Sequence, residues 1–162
     1  MPEEPIEVRL CTAADLPALI ARESNPQAHF SQSQFDLMSA GDYYYAIALR
    51  GEEPLGTGAL DCRPSSLCPE LKNLWVYPAM RRQGAARAIT TFLEAQAAAQ
   101  GFVEVFLRVD PDNEAAIPMY IGLEYTPTGD HIEINYDQVG ADGQLDARSQ
   151  IDAVYRKSLT VR

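Results

Sequence analysis

The sequence predicts an α/β protein of α+β-like arrangement, a single domain with a mixed, mostly antiparallel sheet, a βαβ crossover and helices on both faces. Three observations carry that expectation. Two strand-like runs, Tyr43–Leu49 and Leu55–Cys62, are separated only by the polar turn Arg50-Gly-Glu-Glu-Pro54 and read as an antiparallel hairpin. A third run, Glu70–Tyr77, leads into the alanine-rich helical stretch Gly84–Gln100 and then the apolar run Phe102–Val109, the pattern of two strands joined by a crossover helix. The C-terminal region is again strand-rich.

In chain order, Ile6-Glu-Val-Arg-Leu10 alternates as a first strand should. Thr12-Ala-Ala-Asp15 fits a capping box in its Asp form and opens a helix through Arg22, with Pro17 in the early turns where its missing N–H costs little. Asn25-Pro26 breaks that segment, and a short second helix is expected from Ser31 or Ser33 to Met38, ahead of Gly41. Pro64–Pro69 reads as a loop. Ala85, Ala88, Ile89, Phe92 and Ala99 form the predicted apolar stripe of the crossover helix, and Gly101 is its stop. Asn113 opens a short helix toward Leu123. Tyr125–Thr128, Ile132–Tyr136 and Ile151–Leu159 are the last strands, with a turn at Val139–Gln144 and a connection at Ala147–Gln150. Repeats and linkers are absent, so residues 1–162 are expected to be one domain.

Composition narrows the function classes. A formal net charge of -10 argues against long nucleic-acid or anionic-membrane surfaces and mildly favours a cationic substrate. Met1-Pro-Glu-Glu-Pro lacks the basic and apolar regions of a secretory signal, and no run approaches a membrane span, so the cytoplasm is the expected location. The three cysteines, Cys11, Cys62 and Cys68, have neither CxxC nor zinc spacing, and His29 and His131 form no metal pattern. The sequence offers no metal site.

Against that acidic background, Arg81, Arg82 and Arg87 cluster around Gly84 at a helix start. Free N–H groups of a first helical turn, the helix dipole and guanidinium forks all favour an oxyanion. Gly84, Ala85 and Ala86 are small enough to let a ligand lie against the backbone.

Arg81-Arg-Gln-Gly-Ala-Ala86 resembles the pyrophosphate-binding motif of the GNAT superfamily of N-acetyltransferases, in which Arg or Gln is followed by two free positions, Gly, a free position, and Gly or Ala. Asn113-Glu-Ala-Ala-Ile-Pro-Met-Tyr120 resembles that family's second signature, Asn-x-x-Ala-x-x-hydrophobic-Tyr. The resemblance is specific from Glu70 to Tyr125 and general elsewhere. It implies the GNAT (acyl-CoA N-acyltransferase) fold, acetyl-CoA as acyl-donor cosubstrate, no metal, and an amine acceptor attacked directly in a ternary complex. It also implies roles. Arg81, Arg82, Gln83, Gly84, Ala85, Ala86 and Arg87 would hold the pyrophosphate, although an exposed helix residue is an equal account of Arg87. Main-chain groups of Trp75 and Val76 would pair with the pantetheine arm and polarise the thioester carbonyl. Tyr120 would donate a proton to the departing sulfur. Asn113 would contact the cofactor or simply cap its helix.

The resemblance suggests a carboxylate base at Glu70, at the start of the strand leading to Trp75; Asp61 and His29 are weaker candidates. Tyr43, Tyr44 and Tyr45 could line an acceptor pocket or serve as packing. Pro118, inside the expected helix, and Glu124, where relatives commonly carry Gly, depart from the pattern and could shift Tyr120. They bear on the proton donor more than on cofactor binding, and they keep as the alternative a noncatalytic acyl-CoA-binding or regulatory module. Without a G-x-x-x-x-G-K-[ST] segment a P-loop NTPase is a poor fit. The architecture permits a homodimer, which depends on surface features that the sequence does not place.

Overall fold

A computed structural model describes residues 4–113, 116–139 and 142–160. Among them are seven strands and four α-helices: β1 (Ile6–Leu10), α1 (Leu16–Ile20), α2 (Phe30–Ala40), β2 (Tyr43–Arg50), β3 (Glu53–Asp61), β4 (Glu70–Val76), α3 (Ala85–Ala99), β5 (Glu104–Val109), α4 (Ala116–Gly122), β6 (Thr126–Val139) and β7 (Leu145–Ser158). The strand order is β1-β2-β3-β4-β5-β7-β6, a mostly antiparallel sheet as expected. The chain divides into two compact units, one reaching Val105 and taking in Leu159, the other running from Phe106 to Ser158. No helix of the described residues is long and apolar enough to cross a membrane.

In the first unit β1 to β4 form an antiparallel meander, and its register sorts the side chains by face. Tyr43, Tyr45, Ile47 and Leu49 of β2 are buried with Leu16 and Leu19 of α1 and packed by Phe35 and Met38 of α2. The opposite face is built small: Ala46 and Ala48 stand across from Gly58 and Gly56. There α3 settles onto the sheet, and a Cβ on Gly58 would lie 2.7 Å from Ile89 Cγ2. The first unit thus carries helices on both faces of its sheet.

Local chemistry explains where the helices start and stop. Thr12 N–H donates to Asp15 Oδ2 at 2.7 Å, and Arg9 grips the same carboxylate with bonds of 2.6 and 2.8 Å. The expected capping box therefore forms, but the chain first makes a 3₁₀ turn at Ala13–Asp15, and α1 ends at Ile20, short of the predicted Arg22. Helix α2 begins a residue earlier than expected and runs to Ala40, where Gly41 turns away with φ of 105°. In α3, Ala85 and Ile89 are buried as predicted. The stripe continues through Leu93 and Ala97, however, while Ala99 is exposed, because a 3.6-residue period carries the buried face past it.

Strands β3 and β4 approach unusually closely. A Cβ on Gly56 would stand 2.5 Å from the Trp75 carbonyl oxygen. Next to this contact the ladder jumps from Thr57↔Trp75 to Ala59↔Lys72, so β4 carries one residue more than β3 between those pairs. That is a β-bulge at Asn73–Leu74, and Asn73 takes φ of 56° to make it.

In the second unit β6 and β7 pair as one long hairpin from Thr126↔Arg156 to Val139↔Leu145. Ala147–Gln150, expected as a connection, lie inside β7, and the two predicted strands around Gly129 are one strand interrupted by a bulge between Pro127 and His131. Ala147-Arg-Ser-Gln150 is exposed or half-buried throughout, so the alternation that marks a half-buried strand never appears. Gly140 and Ala141 of the expected turn lie outside the described residues.

Gly56→Ala should lower stability by about 1–3 kcal/mol, since a backbone oxygen cannot step aside as a side chain can. The measure is the urea midpoint at unchanged m-value.

Candidate active site

At its C-terminal end β4 passes through Tyr77, whose N–H donates to Leu55 O at 3.0 Å, into a 3₁₀ turn at Pro78–Met80. The arginine cluster follows. Arg81 folds back: its Nε donates to Val76 O at 3.0 Å, and its guanidinium lies 4.9 Å from the centre of the Trp75 ring. Trp75 is 52% exposed, so this pair forms a ledge at the strand end. Arg82 is exposed, with φ of 65°. Gln83 accepts a hydrogen bond from Arg50 of β2.

Gly84 then caps α3 in a left-handed conformation, φ 93°, with no side chain bonded to the helix end. Ala88 N–H already donates to Gly84 O at 3.0 Å, so the helical ladder starts there. The N–H groups of Ala85, Ala86 and Arg87 precede that first bond and belong to the turn that an α-helix leaves without internal acceptors. The macrodipole adds the equivalent of roughly half a positive charge. The structure therefore brings Trp75, Val76, Arg81, Gln83 and Gly84–Arg87 together on one stretch, with an uncapped helix terminus and exposed guanidiniums suited to a phosphate-type anion.

On the sheet face that carries α1 and α2 lies a cavity of about 550 Å³. Leu19, Phe30, Tyr45, Thr57, Trp75 and Tyr77 contribute to its wall, and Glu23, Ser31 and Asn73 bring polar groups. Asn73 donates from Nδ2 to Gln34 Oε1 at 3.2 Å and to Tyr43 Oη at 3.4 Å, while Tyr43 Oη donates to Gln34. Burial pushes the Tyr77 phenol up to about 12 and raises Tyr45 as well. Of the three sequence tyrosines, Tyr45 reaches the cavity, while Tyr43 holds the Gln34–Asn73 network behind it.

Glu70 is the first residue of β4 and only 7% exposed, in register with Asp61. It shares the face of Thr57 and Trp75, but it is not among the residues lining the cavity. Asp61 is occupied: Arg63 and Lys72 each reach it at 2.8 Å, and although burial opposes its charge these bonds hold its carboxyl below the usual range. That makes it a poor base. His29 sits exposed at the start of α2 with φ of 50°. Among the described residues no group of three or more His, Cys, Asp or Glu could hold a metal ion. Burial raises the Cys11 thiol to about 12 and that of Cys62 to about 11, so neither is a nucleophile at neutral pH.

The second unit holds the other two sequence candidates. Asn113 N–H donates to Asp110 O at 2.9 Å, and Asn113 O accepts from Ala116 N–H at 3.2 Å, in the turn before α4. Glu114 and Ala115 of the second motif lie outside the described residues. Tyr120, on α4, is half-buried and meets Tyr125 edge to face at 6.2 Å between ring centres; burial raises its phenol. Pro118 sits two residues after the first described helical residue. Glu124 takes φ of 73°, the conformation a glycine adopts freely, and Tyr125 N–H bonds to Tyr120 O at 3.0 Å across it. The departure at Glu124 is thus met by backbone strain.

Sequence reasoning missed Glu23 and Asn73. Asn73 left a signal, because Lys72-Asn73 breaks the polar–apolar alternation of β4 where the bulge falls. Asn25-Pro26 marks a break between helices, and nothing in the chain singles out Glu23 beside it.

The sequence model of the acetyltransferase (GNAT) family matches residues 12–123, and the chain belongs to that family. No curated protein matches it. Among solved structures it is similar to an acetyl transferase of Salmonella typhimurium that modifies the N-terminal serine of ribosomal protein L7/L12, at 15% identity and a TM-score of 0.71, covering 96% of this chain and 95% of that one. It is also similar to the ribosomal-protein-S18-alanine N-acetyltransferase of Escherichia coli, at 18% identity, TM-score 0.68 and coverage of 98% and 96%. A phosphinothricin acetyltransferase of Sinorhizobium meliloti, solved with acetyl-CoA, gives 20% identity, TM-score 0.68 and coverage of 95% and 88%.

At pH 8 a disulfide-exchange reagent should leave Cys11 unmodified in the native protein and modify it once urea unfolds the chain. Mass spectrometry of the labelled peptides measures both states.

Proposed function

We propose that this chain is an acetyl-CoA-dependent N-acetyltransferase acting on a primary amine of a small molecule, amino acid or peptide, with residues 1–162 forming one catalytic domain in the cytoplasm. The observation that carries the reading is the uncapped start of α3, set directly after the exposed end of β4 and flanked by Arg81 and Arg82. That terminus, with Gln83, Gly84, Ala85, Ala86 and Arg87, takes the pyrophosphate of the cosubstrate. Trp75 and Val76 offer main-chain groups to the pantetheine arm, and Asn113 contributes from the turn before α4. No metal takes part.

The chemistry is one addition and one expulsion. The neutral amine attacks the thioester carbonyl carbon, a C–N bond forms, and negative charge on the oxygen is met by a fixed main-chain N–H near Trp75 and Val76. The C–S bond then breaks, the sulfur leaves with a proton supplied by Tyr120, whose raised phenol is protonated at neutral pH, and the second proton shed by the nitrogen as the amide forms restores the phenol. The proton lost by the ammonium passes to Glu70, directly or through water. No enzyme-bound acyl group is required, in keeping with the buried, protonated thiols of Cys11 and Cys62.

The deciding experiment follows CoA release from acetyl-CoA, with polyamines, amino acids, aminoglycosides and peptides as acceptors. Saturable release with a matching acetylated product establishes the reading. Binding of acetyl-CoA without any amine-stimulated release would point to a noncatalytic module instead. Arg82→Ala should weaken acetyl-CoA binding by roughly tenfold at low salt, with the deficit shrinking as salt rises; unchanged affinity by calorimetry removes Arg82 from the anchor. Tyr120→Phe should lower kcat by about 10²-fold or more with cofactor affinity preserved, and wild-type kcat under rate-limiting chemistry would end its role as acid.

A further inference from the structure

The cavity beside β4 has one carboxylate in its lining, Glu23, on the connector between α1 and α2. Ser31 N–H donates to Glu23 Oε1 at 2.8 Å and fixes the carboxylate. Its other oxygen, Oε2, is shielded from solvent and accepts no hydrogen bond among the described residues. A buried carboxylate oxygen in that state is costly and calls for a reason. Arg22 is the one cation of the lining, and its guanidinium is turned to Ala18 O at 2.8 Å. The neighbouring phenols, Tyr45 and Tyr77, are neutral.

An aliphatic amine is almost wholly protonated at neutral pH, so an amine entering this cavity arrives as a cation. It needs a counter-ion there, and Glu23 is the group with an unused oxygen. We infer that Glu23 is the specificity-determining residue for the acceptor, receiving its ammonium group on Oε2 while Leu19, Phe30 and the Trp75 ring enclose an apolar body. The acceptor class is therefore a compact, apolar, cationic amine. Because Oε2 is shielded, the ammonium reaches it by displacing part of the connector, which is exposed along most of Ala21–His29. Glu23 acts in recognition, before proton removal, so its loss weakens acceptor binding and leaves the cosubstrate site untouched. This inference rests on the transferase reading for the acceptor's fate, but the cation site itself does not.

Trp75 is the single tryptophan of the chain and lines the cavity, so its fluorescence reports occupancy. The probes are 2-phenylethylamine and its neutral counterpart 2-phenylethanol, titrated into the intact protein with CoA present. Wild type should bind the amine at least tenfold more tightly than the alcohol. Glu23→Gln, whose amide oxygen can still accept from Ser31 N–H, should abolish that preference while keeping the affinity for the alcohol, which certifies an intact cavity. Equal affinities for the two probes in the wild type, a comparison that needs no variant, would overturn the inference, as would a preference that survives in Glu23→Gln. Adding acetyl-CoA to the wild-type amine complex separates the two readings: amine binding that depends on Glu23 but yields no acetylated product rejects this amine as an acceptor and leaves the cation site standing.

Discussion

Between Gly56 and the Trp75 carbonyl two backbones come closer than any side chain would allow, and much of the first unit follows from that contact. Small residues on the same face, Ala46, Ala48 and Gly58, let α3 lie down on the sheet with Ile89 against the backbone. The extra residue in β4 falls immediately beside the contact and changes which way the strand presents its groups. The bulge puts Glu70, Lys72 and Trp75 on one face although their spacing along the chain is uneven, as the register with Asp61, Ala59 and Thr57 shows. One steric constraint thus sets both where the helix start stands and what the strand end shows to the α1–α2 face.

The two faces of that sheet have divided the work. The α3 face is lined by small side chains and brings a helix terminus with its dipole to the end of β4. The opposite face carries the large aromatics, a hydrogen-bonded Gln34–Tyr43–Asn73 network and the cavity. An anion-seeking surface and a recess holding a carboxylate meet along a single strand, β4. On the proposed reading, with an anionic cosubstrate and a cationic acceptor, each partner is drawn to its own face by charge of the opposite sign.

Legibility in the sequence followed burial and local chemistry. The strands of the first unit read well because they are apolar and bounded by turns, and the crossover helix read well because alanine-rich sequence ends at Gly101. The start of α3 was legible from a glycine among arginines, since that pattern works through backbone geometry local to six residues. Strand β7 was misread where both its faces are exposed, for a strand that buries nothing writes no alternation. Glu23 was invisible for another reason: its role comes from contacts with Ser31 and from a cavity built by distant residues, and neither has a signature in the chain. Asn73 stands between these cases, legible as a break in pattern and intelligible only once the bulge is seen.

The missing cap on α3 has a thermodynamic side. With glycine at the cap the terminus gives up only about a few tenths of a kcal/mol against a capping side chain, yet its first N–H groups still have no side-chain acceptor. On the proposed reading an oxyanion bound there supplies the missing acceptors, so the ligand completes the secondary structure that holds it. Such a protein is sturdier in a cell rich in its cosubstrate than in one depleted of it, by about 2.7 kcal/mol at a hundred times the dissociation constant. Its lifetime against unfolding and proteolysis would then follow the supply of the anion, and abundance would track metabolic state through ligand binding alone.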